Sequence, residues 1–377
     1  MKIGILTFKP TNNYGGILQA FAMMHIIKDL GHTPVFLNRV INYKQPLHKR
    51  LISYAKRFIK KYLFNKKNIK RIINQPTASE SLYISKKTKE FIDREIFPQS
   101  KDLYSTDDLA KISEKFDAII VGSDQIWRKD YCFDAWYNYF LNFVSKKKVI
   151  KVSYAASWGL DNWPYNRFET KRLSTLLQDF TSISVREKSG VELCRRHLNV
   201  LAEHVLDPTM LLNIDIYKLL SNKGDKPVGN LLLYVIDPNK NTDNIIKDLS
   251  LNYHPFSVFV KSKNIDDEID ERVYPSVYNW LSGFVNTEIV FTDSFHGCVF
   301  SILFNKPFVV YANKNRGRTR FESLLSIFGL ENRIIDSYIN VESLYNSPIN
   351  WTNVNSILNE ERNKSINFLR ESLKNKL

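Results

Sequence analysis

Apolar, β-rich runs alternate with helical patterns along most of this 377-residue chain. That alternation restricts it to parallel sheets with crossover helices. The runs form two series: 2–8, 34–38, 116–122, 149–156 and 180–185, then 231–236, 256–260, 288–292 and 307–311. A helix over 17–30, closed by Gly31, follows the first run. The chain is too long for one ordinary core and suits two α/β domains. The expected division is a first domain over 1–211, a linker over 212–230 and a second domain over 231–350. A polar helix over 351–377 is expected to pack back on the first domain, and a basic helical insert occupies 44–71.

A hydrophobic fraction of 44% with 25% charged residues marks a globular chain rather than a disordered one. No apolar run approaches the roughly 20 residues of a transmembrane helix. The first eight residues are too short and strand-like for a signal peptide. Cys132, Cys194 and Cys298 lack CxxC spacing, which disfavours zinc and a disulfide framework alike. A reducing cytoplasm is the simplest setting. The net charge of +15 calls for an anionic partner.

Much of that charge lies in 44–71, which carries eleven Lys and Arg residues and no acid. Leu47, Leu51, Ala55, Phe58 and Tyr62 follow at helical spacing on one face. The segment reads as a basic amphipathic helix for an anionic membrane surface; a solvated helix packed on its own domain is the plainer alternative. Nucleic acid is disfavoured, because no recognition motif accompanies the charge.

Ligands of open α/β sheets bind beyond the carboxyl ends of the strands, which singles out five places. Asn13, Tyr14, Gly15 and Gly16 precede the first helix, where glycines admit backbone approach and a helix N-terminus attracts anions. The spacing is not G-x-G-x-x-G, so a dinucleotide site is weakly supported. Ser123, Asp124, Gln125 and Trp127 follow the 116–122 run and suit a polar ligand or a helix cap. A third small-residue stretch spans 153–159. Arg186 follows the 180–185 run, placed either to fork onto a carboxylate or phosphate or to pair with a neighbouring acid. Last comes Thr292-Asp293-Ser294-Phe295-His296-Gly297. Histidine changes charge near neutral pH and suits proton transfer there. Gly297 would allow close ligand approach. Ser294 is not in a G-x-S-x-G elbow, which disfavours hydrolase chemistry.

Taken in order, these segments, with Asp207-Pro208-Thr209 and Asn305-Lys306-Pro307-Phe308, resemble the polysaccharide pyruvyl transferase family over about four-fifths of the chain. The resemblance implies two Rossmann-like domains facing across a cleft, similar to the two-domain glycosyltransferase-B architecture. It implies phosphoenolpyruvate as donor, a sugar of a cell-surface polysaccharide or its lipid-linked precursor as acceptor, and a pyruvate ketal as product. His296 and Arg186 take the catalytic positions. Asn13, Tyr14, Gly15, Gly16, Ser123, Asp124, Gln125, Trp127, Ser294 and Gly297 become substrate contacts. No cofactor and no metal are implied, and the setting is cytoplasmic, with peripheral attachment to the inner membrane face. Many members carry an arginine where this chain has Ser294, which removes an anion contact. Lys314, Arg316, Arg318 and Arg320, after the 307–311 run, are expected to replace it.

Two other functions fit parts of the pattern. A glycosyltransferase of the same fold would take a nucleotide-sugar donor. A non-catalytic scaffold docked on the membrane would keep the basic helix without needing His296, Arg186 or the glycine loops.

Overall fold

The computed structural model describes residues 1–41, 47–64, 69–145, 148–312, 318–339 and 341–374. Lys314 and Arg316 lie outside the described residues, as do Lys44, Lys66 and Lys67 of the basic segment.

Two parallel sheets carry the chain. The first contains β1 (Lys2–Leu6), β2 (Thr33–Phe36), β3 (Ala118–Val121), β4 (Ile150–Ala156), β5 (Ser182–Val185) and β6 (Glu203–His204), in the order β2-β1-β3-β4-β5-β6. The second contains β7 (Leu231–Tyr234), β8 (Pro255–Ser257), β9 (Ile289–Thr292), β10 (Phe308–Tyr311) and β11 (Ile334–Ile335), in the order β11-β10-β9-β7-β8. Every residue of β3, β9 and β10 is buried. Continuous apolar runs, rather than alternating ones, are what strands covered on both faces require. The α/β architecture of two Rossmann-like domains read from the sequence is therefore the one observed.

Six helices matter for the site: α1 (Tyr14–Asp29), α2 (Leu47–Tyr62), α3 (Val277–Asn286), α4 (Phe295–Leu303), α5 (Thr319–Phe328) and α6 (Trp351–Ser372). The stretch 212–230 is not a bare linker, since Ile214–Ser221 is helical with Tyr217 buried. α6 returns to the first sheet. Its Ser365 Oγ accepts from Leu206 N at 3.0 Å, and Arg362 Nε donates to Met210 O at 2.8 Å.

Between the sheets, Tyr14 at the start of α1 reaches across to α3. Its hydroxyl donates to Pro275 O at 2.9 Å and its ring stacks on Trp280. Among the described residues no helix is long and apolar enough to cross a membrane, and Cys132, Cys194 and Cys298 are free and buried.

Candidate active site

A cavity of about 540 Å³ opens where the carboxyl ends of the two sheets meet. The first domain contributes Phe8, Asn12 and Asn13 after β1, Asp124 and Gln125 after β3, and Tyr131 and Phe133 beyond them. The second contributes Ile236 after β7, Phe259, Lys263 and Tyr274 after β8, Asp293 through His296 after β9, and Arg320 from α5.

Two helix N-termini converge on this space. α1 starts at Asn13 without a side-chain cap, so its first-turn amides remain available to an anion. α4 starts at Ser294, whose hydroxyl accepts from Gly297 N, and Phe295 and His296 of its first turn face the cavity. Arg320 adds a cation; burial, and then the nearby charge of Arg186, push its guanidinium down to about 10. It remains charged at neutral pH.

Beneath the floor lies a buried ionic cluster centred on Asp207. Its Oδ2 accepts from Arg186 Nη1 at 3.0 Å and Ser123 Oγ at 3.2 Å, and its Oδ1 accepts from Thr209 N and Oγ1. His296 Nε2 stands 3.6 Å from the same Oδ2, and makes no hydrogen bond among the described residues. Burial alone would raise the Asp207 carboxyl, but His296, Arg186 and Thr209 outweigh it and hold the group well below the usual carboxylate range. Arg186 also faces Glu187 at 3.3 Å and Asp124 at 3.7 Å, and lies over the Phe295 ring at 4.3 Å. Burial opposes its charge, yet the three carboxylates keep its pKa raised.

The expected contacts divide into three groups. Asn13, Asp124, Gln125, Ser294 and His296 line the cavity. Gly15 and Gly16 act at one remove. A Cβ on Gly15 would fall 2.0 Å from His296 Nδ1, and one on Gly16 would fall 3.2 Å from the Asn13 side chain. The remainder serve elsewhere. Arg186 does not line the cavity, because β3, β5 and β6 end together and surround it with acids. Ser123 is fully buried, donating to Ala155 O and Asp207. Trp127 is core, stacked on Phe140 and donating to Tyr139 O. Tyr14 joins the domains. Gly297 makes room for Thr292, whose Oγ1 would lie 2.2 Å from an added Cβ. Arg318 turns away to pair with Glu322 and Asp336.

The sequence assigns Asp207 no role of its own, because β6 before it has two residues, too few for a strand pattern to announce itself. Phe259 and Lys263 escape the strand-end rule because β8 ends at Ser257, leaving Phe259 in the lining loop rather than in a strand.

The Gly15 contact gives a direct test. Gly15→Ala forces the His296 ring aside, and misplacing a reacting group by about 1 Å costs on the order of a hundredfold in rate. The expected result is that loss in turnover with little change in the melting temperature; unchanged turnover would show that His296 placement is immaterial.

Two Rossmann-like domains with a cavity at their junction form the two-domain glycosyltransferase-B architecture. The UDP-GlcNAc 2-epimerase of Methanocaldococcus jannaschii is similar at TM-score 0.50 and 14% identity, covering 94% of this chain and 95% of that one. The UDP-GlcNAc 2-epimerase of Neisseria meningitidis, bound to UDP-GlcNAc, gives 0.49 and 14%, covering 99% of each. At such identity the likeness concerns the fold alone. No curated protein matches the chain significantly. The family model for polysaccharide pyruvyl transferase matches residues 13–315, and the chain belongs to that family.

Proposed function

We infer that the cavity transfers the pyruvyl group of phosphoenolpyruvate to a sugar of a cell-surface polysaccharide or its lipid-linked precursor. The observation that carries this is the convergence of two helix N-termini, Arg320 and His296 on one cavity. A small donor bearing a carboxylate and a phosphate needs several fixed donors and cations in a confined space. The aromatic side of the cavity, with Tyr131, Phe133, Phe259 and Tyr274, offers apolar faces to a sugar ring.

The steps balance without a cofactor. One sugar hydroxyl adds to the central carbon as the methylene carbon takes a proton from His296 and becomes methyl, and the hydroxyl's own proton returns to the imidazole. Phosphate then leaves with its bonding electrons, and the second hydroxyl closes the ketal, its proton ending on phosphate or solvent. His296 is assigned the proton delivered to the methylene carbon or the leaving phosphate. The Asp207 carboxylate stands 3.6 Å behind its ring and fixes the floor on which it sits. Arg186 is a positioning residue that keeps Asp207 ionised and in place. The reaction fits a protein working at the cytoplasmic face on a lipid-linked acceptor.

Arg320→Gln removes a charge-assisted contact to the donor, worth about 1.5–3 kcal/mol. The expected result is a KM for phosphoenolpyruvate raised about ten- to a hundredfold, with a smaller change in kcat. An unaltered KM would remove Arg320 from the donor site.

A further inference from the structure

Helix α2 leaves a broad apolar face uncovered. Leu51, Ile52, Phe58, Ile59, Tyr62, Leu63 and Phe64 are all exposed, Leu63 by 75% and Phe64 by 69%. At about 100° per residue, Leu51, Ala55, Phe58 and Tyr62 form one line and Ile52 and Ile59 a second beside it, with Leu63 and Phe64 following just past the helix end. Lys56 and Lys60, both exposed, border that face. Scattered apolar residues are ordinary on a protein surface, but a contiguous face of this extent is not.

The opposite side of α2 is bolted to the second domain. Arg57 pairs with Asp266, which also accepts from Lys70 N at 2.9 Å and Arg71 N at 3.1 Å. Lys61 Nζ donates to Lys70 O at 2.9 Å. Lys70 pairs with Glu268 and Arg71 with Glu80. Asp266 belongs to the loop after β8 that sends Phe259, Lys263 and Tyr274 into the cavity. The cations of the insert therefore serve two roles. Arg57, Lys61, Lys70 and Arg71 fasten it, while Lys56 and Lys60 flank the uncovered face.

We propose that the outer face of α2 docks on an anionic lipid bilayer, fixing the protein to the membrane through the loop that lines the cavity. An interfacial helix buries its apolar face at the headgroup boundary and sets lysines against anionic lipid. No acid occurs between Lys44 and Arg71, and the chain carries +15 overall. A second copy on this face would bring like charges together, which association disfavours. The docking is independent of the donor and acceptor chemistry.

Co-sedimentation with vesicles of three parts phosphatidylcholine to one of phosphatidylglycerol tests it, against phosphatidylcholine alone. The wild-type protein is expected to pellet with the anionic vesicles and much less with the neutral ones. Leu51→Glu with Phe58→Glu, and separately Lys56→Glu with Lys60→Glu, should each weaken binding about tenfold or more. Arg57 and Lys61 are left intact, so the melting temperature and turnover with a soluble acceptor should stay at wild-type values. Wild-type protein remaining in the supernatant overturns the proposal, as does wild-type binding by either folded variant. A wild-type dimer that Leu51→Glu with Phe58→Glu converts to monomer in sedimentation velocity assigns the face to a second copy instead.

Discussion

Replacing His296 with alanine is expected to lower phosphate release from phosphoenolpyruvate, with acceptor present, by about a thousandfold. Positioned general acids contribute roughly a hundred- to ten-thousandfold. His296 is also the ionisable ring that the first turn of α4 presents to the cavity, with Asp207 3.6 Å behind it. The fold should survive. Asp207 keeps Arg186 at 3.0 Å and its bonds from Thr209, so no buried charge is orphaned. A steady-state phosphate assay, with a thermal melt as control, checks both halves. Turnover within a few-fold of wild type in a folded variant would remove His296 from the chemistry.

Asp207→Asn attacks the same site from below and should chiefly affect stability. The carboxylate is fully buried and holds Arg186, Ser123 and Thr209 together. An amide keeps the shape but, among the described residues, leaves the guanidinium Glu187 and Asp124, at 3.3 and 3.7 Å, for compensation. Breaking a buried pair in this way costs about 3–5 kcal/mol, measurable by urea unfolding near neutral pH.

The pH dependence has a definite sign. The folded-state pKa of Asp207 is depressed, so its contribution is fully present above the ordinary aspartate value of about 4. It is lost as pH falls below that, toward the folded-state value. The stability gap between wild type and Asp207→Asn should therefore narrow in acid. A gap that widened in acid would mean that Asp207 is not held ionised by its partners.

Much of the fold was legible because its strands are buried on both faces. Runs such as 118–121, 289–291 and 308–311 stay apolar throughout and stand out against amphipathic helices. β6 and β11, two residues each, carry too little pattern to be seen. The strand-end rule found the right loops but could not separate neighbours within them. Asp124 faces the cavity while Ser123 beside it turns inward to Asp207 and Trp127 enters the core. Which way each side chain points depends on contacts distant in sequence, such as Tyr14 with Pro275 or Gly15 with His296. The arginine after β5 illustrates the same limit. Its chemistry suits an anion, but strands β3 and β6, brought alongside only by folding, supply Asp124 and Asp207 first. Arg320, which does reach the cavity, lies in a run of basic residues where sequence offers no way to tell it from Arg318.

Incubating the purified protein with phosphoenolpyruvate and a panel of lipid-linked sugars, followed by mass spectrometry, tests the transfer most directly. The expected result is a pyruvyl increment on one acceptor, with one phosphate released per ketal, both absent in His296→Ala. Untouched phosphoenolpyruvate across the panel, with a nucleotide-sugar donor consumed in its place, would contradict it.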